Sequence, residues 1–104
     1  MSQRFVRTIA TSDLPENSSK AVQLEGKYIL LCNSGGEFFA MDNKCSHAES
    51  VLEGGRIRNK FISCPLHGMR FNLRDGSAHG QLTRRPVPVY PVQIVDGFIE
   101  VGLP

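Results

Sequence analysis

The 104-residue sequence contains no apolar run long enough to anchor in a membrane. Its opening, Met1-Ser2-Gln3-Arg4-Phe5-Val6-Arg7, lacks the apolar stretch of a secretory signal. Neither end carries a lipidation motif. These absences make a cytoplasmic protein without a membrane partner the expectation. The formal net charge of +2 comes with no basic stripe and no aromatic-interleaved patch, so nothing argues for nucleic acid; the pair Arg84-Arg85 is too short. There is no internal repeat, no low-complexity segment and no long amphipathic helix pattern. No serine, aspartate or lysine shows the spacing of a nucleophile system, and no glycine-rich nucleotide loop is present. Cysteine is scarce as well. Cys32, Cys45 and Cys64 cannot pair off, and disulfides are rare in the cytoplasm.

What the chain does contain is β pattern. Its length fits one compact domain, residues 1–104, and a hydrophobic share of 40% against 21% charged residues suffices for a core without staples. Candidate strands run from Phe5 to Ile9, Ala21 to Leu24, Lys27 to Asn33 and Glu37 to Met41. Glu25-Gly26 reads as a hairpin turn and Ser12-Asp13-Leu14-Pro15 as one helical turn or a loop. Further strands are expected at Lys60 to Ser63, Met69 to Leu73, Val89 to Val95 and Phe98 to Val101. The turns Arg74-Asp75-Gly76-Ser77 and Asp96-Gly97 separate them. Pro86, Pro88 and Pro91 lack a backbone donor, which suits an edge or a constrained loop before the strand that follows. The expectation is an all-β domain of antiparallel sheets, about eight to ten short strands, with a glycine-rich insertion from about residue 43 to 80.

That insertion holds all three histidines and two of the cysteines. Cys45-Ser46-His47 is followed, after sixteen residues, by Cys64-Pro65-Leu66-His67, so each half offers one thiolate and one imidazole. A Cys2His2 zinc site has the same inventory, but zinc fingers group ligands by type, whereas here each half mixes them. Short glycine loops also stand where a zinc finger has its helix.

The Cys-x-His and Cys-x-x-His pair resembles that of Rieske proteins. The resemblance implies a Rieske-type fold with a small cluster-binding subdomain and one [2Fe–2S] cluster. It implies that Cys45 and Cys64 hold one iron while His47 and His67 hold the other, with the imidazole edges facing solvent. High-potential relatives add a cysteine to each loop, where this sequence has Ser50 and Leu66. They also place a serine and a tyrosine where Met69 and Phe71 stand, and neither of these can donate a hydrogen bond. A potential near the low end, on the order of −150 mV, is therefore expected. Gly68 is expected to turn the backbone so that amide groups face the sulfides. The loop around Pro86 matches a third loop that covers the cluster.

Rieske oxygenases add a long catalytic domain and membrane-complex Rieske subunits add an anchor; a chain ending at Pro104 is expected to have neither. What remains resembles the free ferredoxin of multicomponent aromatic-ring-hydroxylating dioxygenases. That implies a monomeric one-electron carrier between a flavin-dependent NAD(P)H ferredoxin reductase and a terminal oxygenase, docking transiently. Leu66, Met69 and Pro86 are the expected docking contacts. Two other readings stay open: the small Rieske-like subunit of an assimilatory nitrite reductase, and a zinc-stabilised module without redox function. Cys32 reads as a small core side chain, His79 as a solvated loop residue, and Phe38, Phe39, Phe61 and Phe98 as core aromatics.

Overall fold

The computed structural model describes residues 4–45, 50–65, 68–80 and 85–104. Eleven strands form among these residues, with one turn of 3-10 helix at Thr11–Asp13. They are β1 (Arg4–Ala10), β2 (Ser18–Leu24), β3 (Lys27–Ser34), β4 (Glu37–Asp42), β5 (Ile57–Arg58), β6 (Phe61–Ser63), β7 (Arg70–Asn72), β8 (Ala78–His79), β9 (Val89–Tyr90), β10 (Val92–Val95) and β11 (Phe98–Leu103). They make three antiparallel sheets, ordered β1-β11-β10, β2-β3-β4-β9 and β5-β6-β7-β8.

The sheet built on β3 is the middle of the molecule. Alternate side chains of a strand point to opposite faces, and in β3 both faces are buried. Ile29 and Leu31 pack with Leu14, Ala40, Ile99, Val101 and Leu103, which joins this sheet to the β1-β11-β10 sheet. Leu30 and Cys32 face the other way and pack with Met41, Ile57, Ile62, Phe71 and Leu73, joining it to the β5–β8 sheet. An uninterrupted apolar run, Tyr28 to Cys32, is what a strand covered on both sides requires. Cys32 lies in this core, and burial pushes its thiol up to about 12.

Tight two-residue turns hold the registers. Leu24 pairs with Lys27 across Glu25-Gly26, and both turn residues have positive φ, 51° and 82°. This is the hairpin geometry whose twist matches the strands, and glycine takes the second position without strain. Asp96-Gly97 repeats it between β10 and β11.

The expected strand from Val89 to Val95 is two strands. Val89 and Tyr90 pair with β4, Val92 to Val95 pair with β11, and Pro91 stands between them without a donor. β5 and β8, two residues each, were not expected; so short a strand shows no alternation. The four aromatics expected in the core are only partly buried, and Phe61 and Phe98 each carry an arginine guanidinium on the ring face. The fully buried aromatic is Phe71.

Candidate metal centre

Cys45 follows β4 and Cys64 follows β6, and each sits where a short backbone loop is closed by hydrogen bonds. The Cys45 amide donates to the Ser50 carbonyl at 2.8 Å. The Cys64 amide donates to the Met69 carbonyl at 2.7 Å, inside the hairpin where Ser63 pairs with Arg70. Both side chains are buried, at 0% and 2% exposure, in the same core as Leu52, Ile57, Met69 and Val87. Neither is in a disulfide. The two loops meet: the Ser50 hydroxyl lies 3.6 Å from the Cys64 sulfur.

Asn43 shapes the first loop. It is buried, its amide donates to the Tyr28 carbonyl of β3 at 3.0 Å, and its carboxamide oxygen accepts the amides of Leu52 and Glu53. Sequence reading missed it. Asparagine close to a strand end is a common turn residue, and nothing in the spacing says that its partners lie nine and ten residues further on. Alongside this loop an open groove of about 490 Å³ is lined by Lys27, Tyr28, Asp42, Asn43, Lys44, Ser50, Val51 and Tyr90.

The other expected ligands, His47 and His67, lie outside the described residues, as does Leu66. Among the described residues no three His, Cys, Asp or Glu side chains form a metal-binding group. The third histidine, His79, is exposed on β8, with its ring nitrogen 3.0 Å from the Ser77 hydroxyl. One expectation needs correction. Met69 is 3% exposed and packs in the core, so it cannot form part of a docking surface; Pro86 is exposed. Gly68 has φ +71°, the left-handed turn conformation that glycine adopts without strain, and its own amide donates to the Cys64 carbonyl at 2.9 Å. The Pro86 loop does reach this core: Val87 is buried in it, and its amide donates to the Gly76 carbonyl at 2.8 Å.

Two buried cysteines outside any disulfide, brought into one core from separate loops, suit a thiolate-bound metal group. The Rieske [2Fe-2S] domain family matches residues 4–91, and the chain belongs to that family. The cofactor of such a domain is one Rieske [2Fe–2S] cluster, and the described cysteine pair fits its thiolate half. The 3-phenylpropionate/cinnamic acid dioxygenase ferredoxin subunit of Photorhabdus laumondii is 39% identical over 102 residues, 97% of this chain and 94% of that one. A chain in the complex of reduced oxygenase and oxidized ferredoxin in carbazole 1,9a-dioxygenase superposes with a TM-score of 0.88 at 26% identity, covering 96% of this chain and 94% of that one. A Mycobacterium tuberculosis protein assigned as an NADH-dependent nitrite reductase small subunit superposes at 0.91 with 24% identity, covering 100% and 98%, which speaks to the fold alone. Among the described residues no helix is long and apolar enough to cross a membrane.

Proposed function

We propose that this chain is the ferredoxin of an aromatic-ring-hydroxylating dioxygenase system, taking electrons from a flavin-dependent NAD(P)H reductase and delivering them to a terminal oxygenase. The observation that carries the reading is the buried Cys45–Cys64 pair in a Rieske fold. Full-length similarity to a dioxygenase ferredoxin subunit supports the choice of system. When bound, the cluster takes up and releases one electron at a time. The chain's own residues set its surroundings: Cys45 and Cys64 would hold one iron, and His47 and His67 the other. Leu52, Met69, Phe71 and Val87 share the buried core of the two cysteines, which would keep water from them. We place the cluster-binding subdomain at about residues 43–80 of a single domain, 1–104, and read the protein as a cytoplasmic monomer. The carrier catalyses no reaction of its own.

The test is reconstitution. The purified protein, mixed with reductase and oxygenase components, should make NADH-dependent aromatic hydroxylation depend on its presence. Anaerobic reduction should give the electron paramagnetic resonance of a Rieske cluster. Cys45→Ser, Cys64→Ser, His47→Ala and His67→Ala should each abolish that signal, while Cys32→Ala keeps it. A protein that binds only zinc, or a signal that survives loss of any of the four, would defeat the assignment. Transfer to a nitrite reductase catalytic subunit but to no oxygenase would move the chain to the other electron-transfer setting.

A further inference from the structure

The outer face of the β5–β8 sheet is cationic and unpaired. Register decides this. Ile57, Ile62, Phe71 and Ala78 stand on the inner face, so Arg58, Phe61, Ser63, Arg70 and His79 stand on the outer one. With Arg56 and Asn59, four of these line a groove of about 270 Å³ that contains no carboxylate. The Arg70 guanidinium lies over the Phe61 ring, 4.6 Å from its centroid, and His79 meets the same ring edge-on at 5.1 Å. This stacking holds Arg70 in place with its polar edge free to bond.

Some exposed cations are coupled to the chain's own acids: Arg4 to Glu25, Arg7 to Glu100 and Lys60 to Glu37. Among the described residues, Arg56, Arg58 and Arg70 form no such ion pair; this is also true of Lys20, Lys27 and Arg74, but the three arginines Arg56, Arg58 and Arg70 line one groove together. Three guanidiniums gathered on one groove repel one another, so the face gains most from a counter-charge brought by something else. Arginine beside an aromatic is also the composition of energetic centres in protein interfaces.

The face is continuous with the metal centre. Ser63 precedes Cys64 and pairs with Arg70, and Arg70 follows Met69, whose carbonyl receives the Cys64 amide. Anything seated on the arginines is therefore one hairpin from a cysteine expected to hold iron. We infer that this face docks a carboxylate-bearing surface of a protein electron-transfer partner, with Arg56, Arg58 and Arg70 taking the carboxylates and Phe61 filling the centre. The inference rests on the carrier function proposed above. It assigns docking to the flank of the cluster subdomain as well as to its tip.

The probe is a fluorescein-labelled hexaglutamate peptide, followed by anisotropy with the cluster-loaded protein. The triple variant Arg56→Gln/Arg58→Gln/Arg70→Gln should bind about tenfold more weakly than wild type, and wild-type binding should fall as salt rises. A control removing equal charge elsewhere, Arg4→Gln/Arg7→Gln/Lys20→Gln, should lose less than about twofold. Equal losses in both triples would mean a response to net charge, and would overturn the proposal. So would displacement of the peptide by an equal concentration of inorganic phosphate at matched ionic strength, since that marks a small-anion site. In a reconstituted system that works with wild type, the face variant should slow electron delivery and flatten its salt dependence, with its visible spectrum unchanged; an unaltered rate would also overturn it. Loss of the carrier reading would show differently, as a protein without a reducible cluster, whatever the peptide does.

Discussion

The Asn43 side-chain oxygen accepts the backbone amides of both Leu52 and Glu53, at 3.0 and 2.9 Å. One carboxamide thus ties the start of the Cys45 loop to its end, while the Asn43 amide ties the loop to β3. Asn43→Ala would leave two amides short of an acceptor, and the buried Leu52 amide alone costs about 1–3 kcal/mol. We expect a destabilisation of about 1–3 kcal/mol in chemical denaturation and faster bleaching of the visible cluster absorbance. Asn43→Asp keeps both acceptor positions and should recover most of the loss. Equal stability in the alanine variant would show that the loop closes without this bond.

Ser50 and Cys64 meet across the two loops, hydroxyl to sulfur, at 3.6 Å. A hydroxyl donating to a ligating sulfur stabilises the extra negative charge of the reduced state more than the oxidised state. Ser50→Ala should lower the reduction potential by roughly 30–60 mV, taking about 59 mV per tenfold change for one electron. Among the described residues, Met69 and Phe71 pack in the same core and offer no donor. The wild-type potential is accordingly expected near the low end of the Rieske range, on the order of −150 mV. Protein-film voltammetry of both proteins measures this, and a potential unmoved by the substitution would remove Ser50 from the tuning of the site.

Gly76 is fixed by space as well as by torsion. Its φ is +77°, and a Cβ there would stand 1.8 Å from the Val87 carbonyl oxygen. The Gly76 carbonyl also accepts the Val87 amide, so the β7–β8 turn and the proline loop are held against each other at this residue. Gly76→Ala must push the two apart and should cost more than about 2 kcal/mol, seen as a large fall in melting temperature. Gly26, also at positive φ but with open space around it, should lose only about 1 kcal/mol on the same change.

Much of this architecture is legible along the chain, and the gaps have local causes. Strands β1 to β4 are placed to within a few residues by their alternating or doubly covered apolar positions, and glycine turns mark the ends of β2 and β3. The β5–β6 hairpin was not visible: its turn is Asn59-Lys60, with both residues at positive φ and no glycine to mark it. Lys60 is held in that conformation by tertiary contacts, its amide donating to the Ser34 hydroxyl at 3.0 Å and its ammonium 3.1 Å from Glu37. The cysteine pair could be read from spacing, since metal ligands of mixed type at short intervals have few other uses. Asn43 and the arginine groove could not. Both depend on which loop lies against which, and on a register that puts Arg58 and Arg70 on the same face as Phe61.

Tyr90 supplies a pH signature. Its hydroxyl donates to Asp42, and Tyr90 and Ala40 pair where β9 meets β4. Burial first, then the Asp42 bond and charge, push the phenol up to about 12 from its ordinary value of 10. The folded protein therefore holds this proton more tightly than the unfolded chain does. By linkage the stabilisation is fully present below about pH 10 and is lost as pH rises through about 12. Urea midpoints measured at about one-unit steps from pH 8 upward should fall across that window in wild type, and fall less steeply in Tyr90→Phe. The phenolate absorbance that Tyr90→Phe removes should be a component that appears only as pH rises toward about 12. Parallel urea profiles for the two proteins would show that Tyr90 ionises no differently in the folded chain than in the unfolded one.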